Sequence, residues 1–486
     1  MDVAANTLFI TGQDLTIPEL VHAARTPKCA VMLAPEALDR MSANRAFAEK
    51  VAARGDVVYG LTTGVGTRKN RAFERAELAL FNKRMIREHA TGQGEKMPED
   101  VTRGAAIVLL NSLAAGRSNV RPSVAQQISD RLSNGATRPL APIPVHGATG
   151  MGDVTPLAHL TMDLLGDMQP EAGEALPLIA QSSVVTAYAA LAIFDAKRLL
   201  DEMLVLAVLD IEAFAANPSP YHPVVSSLRP FSGYGHVISK FNHYLKDSGL
   251  HTAPPRHLQS PLSFRCAASV LGAAYDNINF CESQISIECN AHQQNPYSFM
   301  EEDRMMPVAH FDMQAISSAL DFARIALAPC LTSQTERSIK MLQASETGLT
   351  DGLEPVGDTG GHGLSEIAWP LQSMTTEAKL LVQPVSVEVG SSSQAEGIED
   401  RMTMASLSAR KLLEMTTLGF RCCSISAVIA SQAVELRYST LECLCPELRN
   451  VHDRVRRIVP FLQPGDPPPE SLDALVEALR NSLLLS

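Results

Sequence analysis

Apolar residues recur at helical spacing over most of this 486-residue chain. Repeats every three to four residues predict helices over 17–26, 34–53, 76–91, 98–113, 122–134 and 157–165. Longer patterns predict helices over 176–214, 263–287, 310–345, 365–381 and 398–438, and an amphipathic one over 471–485. The run Met203–Leu209 is apolar all round, as in a helix buried within a bundle. Only 7–11 and 57–59 read as short strands. Prolines make 217–255 irregular around one short helix, 235–246; 288–307 is irregular and polar, 347–362 is glycine-rich, and 384–397 reads as loop. The pattern predicts a mostly α fold, a long central helical bundle with a small mixed α/β N-terminal region. The chain divides into 1–200, with two glycine-rich loops, 201–440, the long-helix bundle, and 441–486, a tail with a Pro-rich linker and a terminal helix. Apolar residues on several faces of the long helices predict oligomerisation.

Composition sharpens this picture. Hydrophobic residues make up 45% of the chain, but aromatics only 5%, with a single Trp, Trp369. A core of Ala, Leu, Val, Ile and Met favours close-packed helices over sheets. The net charge of −12, with no basic stripe, argues against a nucleic-acid partner. Nine scattered Cys suggest reduced thiols and a cytoplasmic protein. Neither Cys-x-x-Cys nor His-x-x-x-His occurs, so no metal site is expected. The first residues do not resemble a secretory leader, and no uninterrupted run of 18 apolar residues suggests a membrane span.

Two glycine-rich loops carry the candidate chemistry. In Gly147-Ala-Thr-Gly-Met-Gly-Asp153, three glycines precede a predicted helix, with Asp153 placed to cap it and Pro156 in its first turn. Unpaired N–H groups at that helix start form a positive pole. An ordinary loop-to-helix junction is the structural alternative. Tyr59-Gly-Leu-Thr-Thr-Gly-Val-Gly66 is a mobile or tightly turned loop that presents a tyrosine at its start.

Several segments resemble the histidine and aromatic amino acid ammonia-lyases, in family order from about residue 55 to about 440. They are the Tyr59–Gly66 loop, His89-Ala-Thr-Gly-Gln-Gly94, Asn111-Ser-Leu-Ala-Ala-Gly116 with Val120-Arg-Pro122, Gly152-Asp-Val-Thr-Pro-Leu-Ala-His159, Gln259-Ser-Pro-Leu-Ser-Phe-Arg-Cys266 and Ile398-Glu-Asp-Arg-Met-Thr-Met404. The resemblance implies a mostly helical homotetramer with active sites built from three chains. It also implies a methylidene-imidazolone ring, made from an Ala-Ser-Gly tripeptide, and a loop tyrosine that removes a β-proton as ammonia leaves.

The chain departs from that pattern at the ring. Met151-Gly152 stands where Ala-Ser-Gly is expected, and the serine is missing. The triplet Ala148-Thr149-Gly150 is displaced toward the N-terminus; a ring formed there would carry an extra methyl. The family's ring-contacting Asn is Ala180, the Tyr of the Pro-Tyr-Ser-Leu-Arg segment is Leu262, and Gly-Gly-Asn-Phe-His becomes Pro307-Val-Ala-His-Phe311. A family segment of a few dozen residues is absent between Leu165 and Glu174. No cofactor is therefore expected, with Met151 as an apolar wall in place of the electrophile.

The resemblance gives Tyr59 the role of catalytic base, Arg265 that of carboxylate holder and Glu399 a place near the substrate amine. His89, His310 and Phe311 are further pocket candidates, with Leu262 at the altered tyrosine position. Structural alternatives stay open: a packing role for Tyr59, an intersubunit ion pair for Arg265, a helix-start charge for Glu399 and a helix cap for His89. The expected activity is acid–base elimination, addition or isomerisation on a small amino or carboxylic acid. The alternatives are an ammonia-lyase or aminomutase with a ring at Thr149, and a non-catalytic ligand-binding or regulatory homologue.

Overall fold

The computed structural model describes residues 7–73, 75–355, 361–387 and 394–481. The fold is mostly helical, with three two-stranded ladders among the described residues. The expected ranges 1–200, 201–440 and 441–486 are contiguous; the compact units are not. One unit comprises Met1–Phe194, Glu282–Leu320 and Pro384–Arg410; the other comprises Asp195–Cys281, Asp321–Gln383 and Lys411–Ser486.

The first unit opens on a parallel strand pair, Thr7–Ile10 with Ala30–Leu33. Helix Ile17–Arg25 joins the strands, and a reciprocal cap between Thr16 and Glu19 starts it. Helix Glu99–Ala114 is the centre of this unit, buried at every position from Val101 to Ala114. It even buries Arg103, which donates to the carbonyls of Ala23, Cys29 and Leu132 at 2.7–2.8 Å. A guanidinium meets the burial cost here by satisfying the open ends of three other segments.

In the second unit, Arg337 and Asp210, both buried, pair at 2.7 Å, and Tyr275 donates to Asp201 at 2.6 Å. Phe214 stacks on Phe264 with centroids 4.1 Å apart. Three helical stretches, Ala175–Phe214, Gln314–Met341 and Ala405–Arg437, are long and apolar enough to cross a bilayer by length and composition. Runs of pure apolar residues did not reveal this, because Ser, Thr and Gln interrupt each one. In these stretches 94%, 61% and 72% of the most apolar window is buried inside the fold.

The structure corrects several expected elements. Residues 57–59 are irregular and turn rather than strand, and the partner of the first strand is Ala30–Leu33. The expected helix 176–214 is two helices, Ala175–Ile179 and Ser183–Phe214, broken at 180–182. Helix 398–438 begins only at Ala405, so Glu399 lies in an irregular segment and not at a helix start. Helix 310–345 shortens to Gln314–Met341 and retains Pro329 inside it. The irregular 288–307 contains an antiparallel hairpin, Tyr297–Phe299 with Arg304–Met306. The terminal helix is Asp473–Arg480. Residues 482–485 of the expected helix, 356–360 of the glycine-rich stretch and 388–393 of the expected loop lie outside the described residues.

Candidate functional site

The two glycine-rich loops both lie in the first unit, and each is held by contacts that local sequence does not show. In 147–153, glycines 150 and 152 take φ of +80° and +77°, open to glycine at little cost. Threonine and serine hydroxyls from 403–406 hold the carbonyls. The Thr403 hydroxyl donates to the Gly150 carbonyl at 2.7 Å, the Met404 N–H to Thr149 at 2.9 Å, and the Ser406 hydroxyl to Ala148 at 3.0 Å. On the other side Met151 forms an isolated bridge with Asp312. A Cβ at Gly150 would come within 2.0 Å of the Thr403 hydroxyl and 2.9 Å of the Ala405 nitrogen.

Ring closure joins the Gly150 nitrogen to the Ala148 carbonyl carbon after Thr149 loses its hydroxyl. The carbonyls of Ala148, Thr149 and Gly150 are each held by a hydrogen bond from 403–406, and Thr149 itself is exposed. Gly152 faces the backbone of Ala180, with no side-chain amide there to meet a ring. These residues do not fit the group.

Asp153 is not the cap expected for its own helix, Val154–Leu165, which has no side-chain cap bond. Its carboxylate turns instead to the start of helix Ser183–Phe214, where the Val185 N–H donates to Oδ2 at 2.8 Å. The break at 180–182 makes this geometry: Asp153 N–H donates to the Gln181 carbonyl at 2.7 Å, and Ser182 N–H to Gln293 Oε1 at 2.8 Å. Asp153 is fully buried, with Oδ1 lacking a partner. Burial pushes its pKa up to about 7, opposed by the N–H groups of Val185 and Val184. A carboxyl with a raised folded-state pKa favours folding most below its unfolded pKa, near 4, and that contribution is lost as pH rises through about 7. Asp153→Asn keeps an oxygen for Val185 and removes the titration. Thermal melts between pH 4 and 8 are expected to show a shallower fall for this variant than for the parent; equal slopes would refute the assignment.

Tyr59 and Glu399 are brought within electrostatic range of each other. The Gly66 N–H donates to the Tyr59 hydroxyl oxygen at 3.1 Å, so the loop closes on its own tyrosine. Burial raises the phenol pKa, the Gly66 bond lowers it and the negative charge of Glu399 raises it. A base tyrosine needs positive surroundings, and within this chain the balance has the opposite sign. As placed, Tyr59 is a protonated donor at neutral pH. The loop is the tightly turned one of the two expected forms, since Val58 and Leu61 are anchored in a cluster with Ala48, Val51 and Met305.

The remaining candidates are distributed unevenly. His89 ends helix Arg75–His89, and its Nδ1 lies 2.7 Å from the Met85 carbonyl; this bond makes Nδ1 the protonated nitrogen of the neutral ring and leaves Nε2 as acceptor. His310 is exposed, with its ring 5.8 Å from that of Tyr297. The Phe311 carbonyl accepts from the Ser182 hydroxyl at 3.2 Å, tying it to the broken helix. Arg265 and Leu262 belong to the second unit. There the Arg265 guanidinium bonds Gln259, its Nε has no partner, and Leu262 is 62% exposed. Sequence reasoning missed Thr403, Ser406 and Gln293, which hold the loops. It also missed the role of His159, whose Nε2 accepts from the Gly92 N–H at 3.1 Å. The hydroxyl pair in Thr403-Met-Ala-Ser406 was the one visible clue. Among the described residues, no group of three or more His, Cys, Asp or Glu is placed to hold a metal ion.

Comparison with known proteins gives this site its context. The aromatic amino acid lyase family model matches residues 15–170 and 167–457. A histidine ammonia-lyase of Alkaliphilus metalliredigens is 29% identical over 478 residues, covering 93% of this chain and 92% of the relative. Among solved structures, ergothionase from Treponema denticola, an ergothioneine-degrading enzyme, superposes with a TM-score of 0.89 at 23% identity, covering 99% of each chain. Tyrosine aminomutase from Streptomyces globisporus superposes at 0.90 with 23% identity, covering 99% of this chain and 98% of that one. With glycine loops, hydroxyl supports and Tyr59 set in this helical frame, and with the family model matching nearly its whole length, the chain is a lyase-like enzyme that belongs to the aromatic amino acid lyase family.

Proposed function

We propose that this protein catalyses acid–base elimination, addition or isomerisation beside the carboxyl group of a small amino or carboxylic acid, without a self-derived ring. The observation that carries the reading is the loop 147–153: its precursor serine is gone and the carbonyls of Ala148, Thr149 and Gly150 are all engaged, while Tyr59 and Glu399 remain together. Arg265 of the second unit, with Nε unpartnered, keeps the carboxylate-holding role that the family resemblance implies. Tyr59 donates a proton in one half of the reaction, and Glu399 is the carboxylate that accepts one in the other. His89, His310 and Phe311 line the pocket. Lacking an electrophile, such a site calls for a substrate that carries its own activation: a C–H acidified by a neighbouring carbonyl, or a leaving group better than ammonia, such as a tertiary amine. The protein assembles as a homotetramer in the cytoplasm in this reading. Exposed Trp369, Leu380, Leu262 and Ile325 of the second unit support the assembly, and sedimentation tests it.

Two measurements test the proposal. Intact-protein mass is expected to equal that of the unmodified chain; a deficit of two waters would show that a ring forms at Thr149. Turnover is expected in a panel holding histidine, tyrosine, ergothioneine and α,β-unsaturated acids. Binding across that panel with no conversion would instead make the protein a non-catalytic homologue.

A further inference from the structure

The Tyr59 loop rests on the segment 169–176. Two glycines let the segments touch. Gly173 has φ +80°, and a Cβ there would come 2.5 Å from Leu61 Cδ1. Gly60 has φ +70°, and a Cβ there would come 2.6 Å from Leu176 Cδ2. Tyr59 lies between Val58 and Leu61, both only 4% exposed, so whatever holds Leu61 also sets where the phenol points.

The turn in its own right is held by one buried carboxylate. Glu174 is 0% exposed and accepts four hydrogen bonds. Arg121 gives three: Nε to Oε1 at 2.7 Å, Nη2 to Oε2 at 2.9 Å and the backbone N–H to Oε1 at 2.9 Å. The Glu171 N–H supplies the fourth, to Oε2 at 2.7 Å. Arg121 also reaches the Gln169 carbonyl at 3.0 Å, and Arg45 reaches that of Ala172 at 3.2 Å. The Ala175 N–H donates to the buried Asn82 at 3.0 Å. A fork-to-fork pair with every lone pair used is a rigid device, and truncating one member leaves the other buried or half-buried without its charge.

We propose that Glu174 is a positioning residue for Tyr59. Its carboxylate, clasped by Arg121, fixes the turn, and Gly173 passes that constraint to Leu61 and so to the phenol. Its value for catalysis rests on the role proposed above for Tyr59; the positioning does not.

Glu174→Gln keeps the size of the side chain and removes the charge and one acceptor oxygen. Amide hydrogen exchange in 60–66, above all at Gly66, is expected to speed up by about tenfold or more, while helix Glu99–Ala114 keeps its protection. The Tyr59 phenol, followed by absorbance against a Tyr59→Phe background, is expected to titrate at lower pH as its burial is lost. Gly173→Ala, which keeps the Glu174 carboxylate and places a Cβ 2.5 Å from Leu61 Cδ1 and 2.9 Å from Asn119 Nδ2, is expected to give the same loop-limited change. Unchanged exchange at 60–66 in both variants, or loss of protection throughout the unit, overturns the proposal. Neither readout requires turnover, so failure of the catalytic reading and failure of the positioning register separately.

Discussion

Replacing Tyr59 by Phe is expected to lower kcat by about 10²–10⁴-fold on whichever panel substrate turns over, with KM little changed. Val58 and Leu61 on either side keep the chain at position 59 anchored, and only the hydroxyl beside Gly66 is lost. Parent activity is expected to fall on the alkaline side, where a proton-donating phenol ionises. Burial and Glu399 both raise that pKa, so Glu399→Gln is expected to move the alkaline limb to lower pH. A Tyr59→Phe enzyme with unchanged kcat would show that the hydroxyl takes no part. An alkaline limb that stays put in Glu399→Gln would show that the two groups are not coupled.

The largest stability effect is expected at Asp210, paired with Arg337 at 2.7 Å with side-chain exposures of 0% and 2%. Arg337 keeps bonds to the Ser263 carbonyl and the Ser333 hydroxyl, neither of which carries charge. Asp210→Ala therefore strands a buried guanidinium, at a cost of about 3–5 kcal/mol. Burial raises the pKa of Asp210 to about 6 in spite of the arginine, so desolvation is already a large part of the balance. This makes the double replacement Asp210→Leu, Arg337→Met informative: it is expected to recover most of the loss, because no charge remains buried. Denaturant midpoints of parent, single and double variants measure this. A double variant as unstable as the single one would mean that the pair stabilises the unit by more than mutual neutralisation.

Some elements were legible because their cause is local. The helix expected over 122–134 appears as Pro122–Ser133, started by its proline, and 98–113 appears as Glu99–Ala114. Helix 176–214 was misread because its apolar periodicity runs straight through the break. What opens 180–182 is a pair of bonds, one to Asp153 and one to Gln293, a residue 111 positions away. The ladder Gln93–Lys96 with Pro144–His146 escaped notice for a similar reason: all four residues of its first strand are exposed, leaving no alternation to read. Of the site, the residue types were visible and their directions were not. Asp153 occupies a cap position, yet it serves the neighbouring helix.

By itself the sequence determined the helical class and the family, because these follow from periodicity and from motif order. Only the tertiary structure decided that Thr403 and Ser406 hold the 147–153 carbonyls, that burial and, to a lesser degree, Glu399 raise the pKa of Tyr59, and that Glu174 underlies the Tyr59 loop. Each of these depends on groups far apart in the chain meeting at hydrogen-bond or Coulomb range. Spacing along a sequence does not encode such meetings; packing does.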